Sequence, residues 1–204
     1  MSRNQLSDLR TYPRPTGPSR GKNGIAGFTM LEILISLVIV LLGVLGLAAL
    51  IIRSNQAEME SYQRVQALML AQDMADRINA NRKVITCYSN GATGMQLGTG
   101  YSGTPACAAG NTQQNARAVA DMTAWNSLLT GSAEVLSGSN VGAMIGARGC
   151  VDQIDPATQT YIVSVAWQGL AATAAPGNTC GLNLYGTDSL RRVVSVTLRI
   201  GTLL

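Results

Sequence analysis

The sequence contains no histidine among its 204 residues, and this absence narrows the chemistry open to the chain. Histidine is the commonest general base in enzymes, it activates serine and cysteine nucleophiles, and it is a frequent zinc ligand. No pair of acidic residues stands at a spacing that points to acid–base catalysis. Most common hydrolytic mechanisms are therefore excluded, and the sequence predicts neither a catalytic site nor a cofactor.

Charged residues are also scarce, and the positive excess lies at one end of the chain. The net charge is +4, and residues 1–27 hold five basic residues against one acidic residue. From residue 28 onward there are ten residues of each sign. Nucleic-acid binding requires clustered lysine and arginine on the folded part of a protein. The sequence therefore does not predict nucleic acid as a partner.

Residues 28–52 contain almost no polar side chain, the exceptions being Thr29, Glu32 and Ser36. As a helix this segment would span roughly 37 Å, which exceeds the roughly 30 Å of a bilayer core. The basic residues upstream predict a cytoplasmic amino terminus. An ordinary secretory signal fits less well, because its apolar region is shorter and precedes a small-residue cleavage site. The segment is therefore predicted to span a membrane once.

The helical pattern continues beyond the apolar segment, since neither glycine nor proline occurs between Leu47 and Asn90. Over residues 53–83 the pattern becomes amphipathic, and we expect the helix to end near Arg82. Glu60 precedes Arg64 by four residues and Asp73 precedes Arg77 by four, which is the favourable order for exposed ion pairs. The predicted buried stripe consists of Val65, Leu68, Ala71, Ala75 and Ile78.

Residues 84–204 differ in composition from the helical segment, since glycine and serine are frequent there. Residues Asn111–Gly131 read as a short helix, capped by Asn111 or Thr112 and ended by Gly131. Three strand patterns follow, at Ala147–Val151, Thr160–Gly169 and Arg191–Ile200, and the segment "DQIDPATQ" reads as the turn between the first two. Sequential strands with short turns favour an antiparallel sheet. The predicted fold class is α+β, with one long amino-terminal helix packed on a carboxy-terminal antiparallel sheet.

The border of the apolar segment reads Gly27-Phe28-Thr29-Met30-Leu31-Glu32. A basic leader, a glycine and then Phe-Thr-x-x-Glu resembles the leader junction of type IV prepilins. The resemblance implies cleavage between Gly27 and Phe28 and N-methylation of Phe28, both by a dedicated membrane peptidase and methyltransferase. The implied domain boundaries are a cleaved leader at 1–27, a membrane and filament-core helix at 28–52, its amphipathic continuation at 53–83, and a periplasmic domain at 84–204.

Glu32 is the unusual residue of this border, because an acid inside a membrane segment is costly. Cleavage after Gly27 would create a cation, the amine of Phe28. In a filament of staggered subunits, Glu32 of one subunit could pair with the Phe28 amine of a neighbour, which would make it an assembly residue. The alternative is that Glu32 only reaches the lipid headgroups and has no role in assembly.

Further stretches narrow the resemblance to one type of pilin. Residues Ser61–Arg82, "ARGCV" and "YIVSVAWQG" are similar to the minor pilins of the PilV type, the type IV pilus modification proteins. The resemblance implies a low-abundance subunit that primes pilus assembly and is incorporated near the tip. Its implied partners are other minor pilins, the major pilin, the inner-membrane assembly platform and, before assembly, membrane lipid. The implied location is the bacterial inner membrane, with the carboxy-terminal domain periplasmic, and then the pilus fibre.

Other functions stay open on the sequence alone. A minor pseudopilin of a type II secretion system would have the same basic leader, cleavage junction and apolar helix. An enzyme anchored by one membrane helix, or a tip adhesin or DNA-uptake receptor, belongs to another class. For a receptor, the candidate contact residues are Tyr88, Tyr101, Arg191 and Arg192, although the sequence favours placement of these residues in the core or on a plain surface. Whether the pilus would serve twitching motility, adhesion or DNA uptake is not encoded in any motif found.

The four cysteines are Cys87, Cys107, Cys150 and Cys180. They permit three disulfide pairings or a zinc site, and the lack of any C-x-x-C spacing argues against zinc. A periplasmic domain lies in an oxidising compartment, which favours disulfides. Loop entropy does not decide between the pairings. We expect Cys87–Cys107 and Cys150–Cys180, because each pair closes a single local segment, and we expect no metal.

Overall fold

The structure is a computed structural model that describes residues 27–132, 135–140 and 144–201. The predicted leader therefore lies outside the described residues except for Gly27. The chain divides into two compact units, the first ending at Leu47 and the second beginning at Ala48. The predicted boundaries of the leader, membrane helix, amphipathic continuation and periplasmic domain stay predictions.

The long helix is present as α1, Met30–Ala80. It begins two residues later and ends two residues earlier than the sequence pattern indicates, which is the usual uncertainty of helix ends. At Asn81 the chain leaves the α-helix, passes through a 3-10 turn at Arg82–Val84, and enters the short helix α2, Ile85–Tyr88.

The second helix of substantial length, α3, spans Thr112–Leu129. Asn111 caps its amino terminus: its side chain accepts a hydrogen bond from the Gln114 N–H, and the Gln114 side chain accepts one from the Asn111 N–H. Gly131 follows the helix with a φ of +84°, a conformation that glycine adopts without strain. The predicted ends of this helix are confirmed.

Four strands form an antiparallel sheet, and they are β1 (Met95–Gly98), β4 (Arg148–Asp155), β5 (Thr160–Gln168) and β6 (Arg191–Arg199). Their order in the sheet is β1-β4-β5-β6. A separate hairpin pairs β2, Val135–Leu136, with β3, Ser139–Asn140. The α+β fold class, a long helix packed on an antiparallel sheet, is confirmed.

Two details of the predicted sheet are wrong. Strand β1 was not anticipated, because its four residues contain no β-branched side chain and its pairing with β4 is distant in sequence. The segment from Asp152 to Ile154 is strand and not turn, since β4 continues to Asp155 and the turn begins only at Pro156.

The core of the second unit lies between the sheet, α3 and one face of α1. Strand β5 contributes Tyr161, Val163, Val165 and Trp167 from one face, as its alternating pattern predicts. The buried stripe of α1 is rotated from the prediction, because Val65 and Leu68 are about half exposed while Ala67 and Met74 are fully buried. Residues Ala67, Ala71 and Ala75 present small side chains to the core, which permits close packing. The buried Trp125 of α3 donates a hydrogen bond from Nε1 to the Leu70 carbonyl, at 2.9 Å.

A buried polar network joins the end of α1 to α3. Asp121 accepts hydrogen bonds from the Tyr88 hydroxyl at 2.7 Å and from Arg77 Nη1 at 3.1 Å. Arg77 also forms the predicted ion pair with Asp73, at 2.8 Å. Burial raises the pKa of the Tyr88 hydroxyl, so this group stays a donor at physiological pH. The predicted pair of Glu60 with Arg64 is wrong, because Glu60 pairs with Arg192 of β6 at 3.2 Å.

Two disulfides use all four cysteines of the chain. Cys87 of α2 is joined to Cys107 in the loop before α3, and Cys150 of β4 is joined to Cys180 in the loop before β6. Each bond ties a loop to a regular element of the second unit. These are the two local pairs that the sequence favours.

Candidate assembly site at the start of the long helix

Thr29 sets the start of α1. The main-chain N–H of Glu32 donates a hydrogen bond to Thr29 Oγ1 at 3.2 Å, and the N–H groups of Glu32 and Ile33 also point at the Thr29 carbonyl. Thr-x-x-Glu is the sequence of a capping box, in which threonine and glutamate each satisfy a main-chain N–H of the other. Only the threonine half is formed here, so the Glu32 side chain is not used by the cap.

The carboxylate of Glu32 has no hydrogen-bond or ion-pair partner among the described residues. Ser36 donates its hydroxyl proton to the Glu32 main-chain oxygen at 2.7 Å and leaves the carboxylate untouched. Glu32 and Ser36 share a shallow groove of about 440 Å³ with Phe28, Ile33, Leu37 and Val40. A negative charge therefore lies within an apolar helix surface, where only the positive end of the helix dipole favours it.

The junction itself is accessible. Gly27 precedes the helix and is exposed, and Phe28 has 80% of its surface exposed. The Gly27–Phe28 peptide bond thus lies in non-helical chain, as a peptidase substrate requires. Gly27, Phe28 and Glu32, the three residues that the border motif singles out, fall within one turn of the helix start.

The helix that follows meets the length and composition of a membrane span. It is the one such helix in the part of the chain that the structure describes, and none of its most apolar stretch is buried within the protein. Every residue from Met30 to Ile52 is exposed. A continuous apolar surface of this size requires lipid or other protein chains around it, and the helix fits a single-pass membrane anchor.

The candidate receptor residues are mostly buried. Tyr88 and Arg191 are fully buried, and Arg192 is held by Glu60 and the Ala171 carbonyl. The guanidinium of Arg191 bonds Asp188 and the carbonyls of Pro176, Asn178 and Cys180. The two arginines organise the loop between β5 and β6. A single-sequence pattern does not distinguish such a buried arginine from an exposed one.

A cleft that no sequence pattern predicts lies between α1 and the β5–β6 end of the sheet. Its volume is about 350 Å³, and Glu60, Arg64, Trp167 and Arg192 are among the residues that line it. Glu60 and Arg192 lie more than a hundred residues apart in the chain, so no local spacing could have brought them together.

Comparison with known proteins supports a pilin. The family model described as Tt1218-like, type IV pilin Tt1218, matches residues 49–125. No curated protein and no solved structure matches the chain. The matched range covers less than half of the chain and excludes the Gly27–Glu32 junction, so the match and the junction are separate observations. Both support a type IV pilin, which suggests a structural role for the chain.

Proposed function

We propose that this chain is a minor type IV pilin of the PilV type, which primes pilus assembly at the inner membrane and is incorporated near the pilus tip. The unpartnered carboxylate of Glu32, placed just after an exposed Gly–Phe junction and inside an apolar helix, carries the proposal. The pilin family match over the following segment supports it independently.

The proposed mechanism is association without covalent chemistry by the chain itself. A prepilin peptidase cuts between Gly27 and Phe28, and its methyltransferase activity methylates the new Phe28 amine. The mature helix stays in the membrane, with its amino terminus towards the cytoplasm and the second unit in the periplasm. During assembly the Glu32 carboxylate pairs with the Phe28 amine of a neighbouring subunit, so that both charges leave the lipid together.

The proposed partners follow from this sequence of events. They are the peptidase, the assembly platform of the inner membrane, other minor pilins and the major pilin. A minor pseudopilin of a secretion system remains the second candidate, since the junction and the helix suit it equally. The similarity of Ser61–Arg82 to the PilV-type proteins favours the pilus.

Quantitative mass spectrometry of sheared surface pili tests the proposal. A minor pilin is expected in the sheared fraction at a small fraction of the major subunit, and deletion of the gene should reduce the number of surface pili. Complete absence from sheared pili, with normal piliation after deletion, would overturn the proposal in favour of a pseudopilin. An abundance equal to that of the main fibre subunit would overturn the minor role.

A further inference from the structure

The two edges of the sheet differ in how far they are protected. Strand β1 has only four residues, it follows Gly94 and ends with Gly98, and both glycines have positive φ. Strand β6 has nine residues, pairs with β5 in unbroken register and contains no proline, glycine or lysine. Proteins usually shorten, kink or charge an open edge, because it can pair with another chain. β6 carries arginines at its ends and none of these devices in its middle.

The outer side of β6 offers free main-chain groups. Hydrogen bonds from the Gly169 N–H to Leu190 and from the Ile200 N–H to Gln159 flank the β5–β6 ladder, so its even-numbered residues bond β5. The N–H and C=O groups of Val193, Ser195 and Thr197 then point away from the sheet. Within the described residues no strand or other group pairs with them.

The side chains of β6 that face α1 are incompletely covered. Val194 and Val196 stand opposite the buried Val165 and Val163 of β5, yet both remain part exposed at the rim of the core. A strand added beside β6 would place every second side chain next to these valines. It would complete their burial if those side chains were apolar.

The cleft at the amino-terminal end of β6 has positive character. Glu60 is already occupied, since it accepts hydrogen bonds from the N–H groups of Leu170 and Ala171 and from Arg192. Arg64, on the same helix face, is exposed and has no ion-pair partner among the described residues. Trp167 also lines the cleft, and its Nε1 donor is buried without an acceptor there. The Arg64 guanidinium and the Trp167 Nε1 donor could both be satisfied by a negatively charged hydrogen-bond acceptor.

The end of a partner strand meets these requirements. All strand pairs of the sheet are antiparallel, and an antiparallel strand beside β6 would end at Arg191 and the cleft. The loop after β5 folds back at this end of β6, where the Thr173 N–H donates to the Ser189 carbonyl and Arg192 donates to the Ala171 carbonyl. We therefore expect a partner strand to end here.

We propose that β6 and this cleft form a docking groove for the carboxy-terminal strand of a partner protein. The partner strand extends the sheet, its alternate apolar side chains cover Val194 and Val196, and its terminal carboxylate lies beside Arg64. The groove belongs to the second unit alone, and its test does not depend on the assignment to a pilus.

The probe is a fluorescent peptide of about eight residues that alternates valine and threonine and ends in a free carboxylate. It is titrated by anisotropy against the full chain in detergent, beside the same peptide with an amidated end. We expect the carboxylate form to bind about threefold more tightly, which corresponds to about 0.6 kcal/mol and lies within the range of an exposed charge pair. Arg64→Glu should abolish that difference, whereas Arg82→Glu, an exposed charge reversal away from the cleft, should preserve it.

A second variant tests the strand. Thr197→Pro removes an outward N–H without touching the β5 ladder, and an edge strand tolerates proline. We expect at least about tenfold weaker peptide binding with an unchanged circular dichroism spectrum. Failure of both peptides to bind the wild-type chain, or equal affinity of the two peptides for it, would overturn the proposal. So would equal binding by a folded Thr197→Pro variant, or association of the chain with itself through β6 in place of peptide binding.

Discussion

At the residue scale, the proposed assembly depends on the charge of Glu32. We expect Glu32→Ala to leave membrane insertion and leader cleavage intact, because removal of an acid makes an apolar segment easier to insert and the peptidase motif is otherwise unchanged. What is lost is the partner of a neighbouring subunit's amine. Leaving that amine buried and unpaired costs roughly 3–5 kcal/mol, so the variant should be depleted from pili.

Immunoblots of sheared pili and of membranes measure this outcome, with Ser36→Ala as the matched control on the same helix face. Ser36 donates only to a main-chain oxygen, so its variant should behave as wild type. Normal incorporation of Glu32→Ala into pili would mean that Glu32 only reaches the headgroups and has no role in assembly.

Two aspartates of the second unit are expected to change the pH dependence of stability in opposite directions. Hydrogen bonds from the buried Arg191 guanidinium lower the pKa of Asp188, whereas burial raises the pKa of Asp152. A lowered folded-state pKa stabilises the fold above the unfolded value of about 4, and this contribution is lost as the pH falls through the folded pKa. A raised folded-state pKa makes the charged form unfavourable at neutral pH, and that cost disappears on acidification.

At pH 7 we therefore expect Asp188→Asn to unfold at a temperature a few degrees below that of the wild type, and Asp152→Asn to unfold at a higher temperature than the wild type. Thermal unfolding followed by circular dichroism measures both midpoints. Both differences should shrink as the pH approaches 3. An Asp152→Asn variant with an unchanged midpoint at neutral pH would show that burial of this carboxylate carries no cost.

At the scale of elements, the sequence predicts those helices and strands that are determined by a local residue pattern. The long helix follows from an uninterrupted run without proline, α3 follows from its capping residues, and β5 follows from alternation. The face that α1 buries was missed because it depends on a tertiary contact: Trp125 of α3 reaches the Leu70 carbonyl, and the alanines at 67, 71 and 75 allow close packing. Strand β1 was missed because only its distant partner β4 makes it a strand.

The candidate sites show the same difference between local motifs and contacts that join distant segments. Gly27, Phe28 and Glu32 form a local motif, and the cap geometry at Thr29 agrees with it. The cleft that joins Glu60 to Arg192 depends on the docking of α1 against the sheet, so no spacing within the sequence indicates it.

The two disulfides tie loops to helices and strands, and we expect them to stabilise the fold and to differ in how easily they are reduced. Each should contribute about 3 kcal/mol to the free energy of unfolding by restricting the unfolded chain. Cys107 is only partly buried, whereas Cys150 and Cys180 are at most 5% exposed. We therefore expect a graded series of reductant to open Cys87–Cys107 before Cys150–Cys180.

Non-reducing peptide mapping, with alkylation of the thiols freed at each step, follows both bonds. A Cys107–Cys150 linkage in the oxidised protein would refute the pairing. Simultaneous opening of the two bonds would contradict the order that their burial predicts.

At the scale of the whole molecule, a helix that fits a membrane anchor continues along the chain into a disulfide-bonded α+β unit. The helix is exposed throughout its apolar half, so it needs lipid or other protein chains around it. A cut before this helix, at Gly27, keeps it in the mature protein. A cut after the helix would release the second unit and remove any route into a fibre.

The mass and amino-terminal sequence of the chain recovered from sheared pili test this claim most directly. We expect a chain that begins at Phe28, carries one N-methyl group and retains both disulfides. A mature chain that begins downstream of Ile52, or an uncleaved chain that still carries the leader in the fibre, would contradict it.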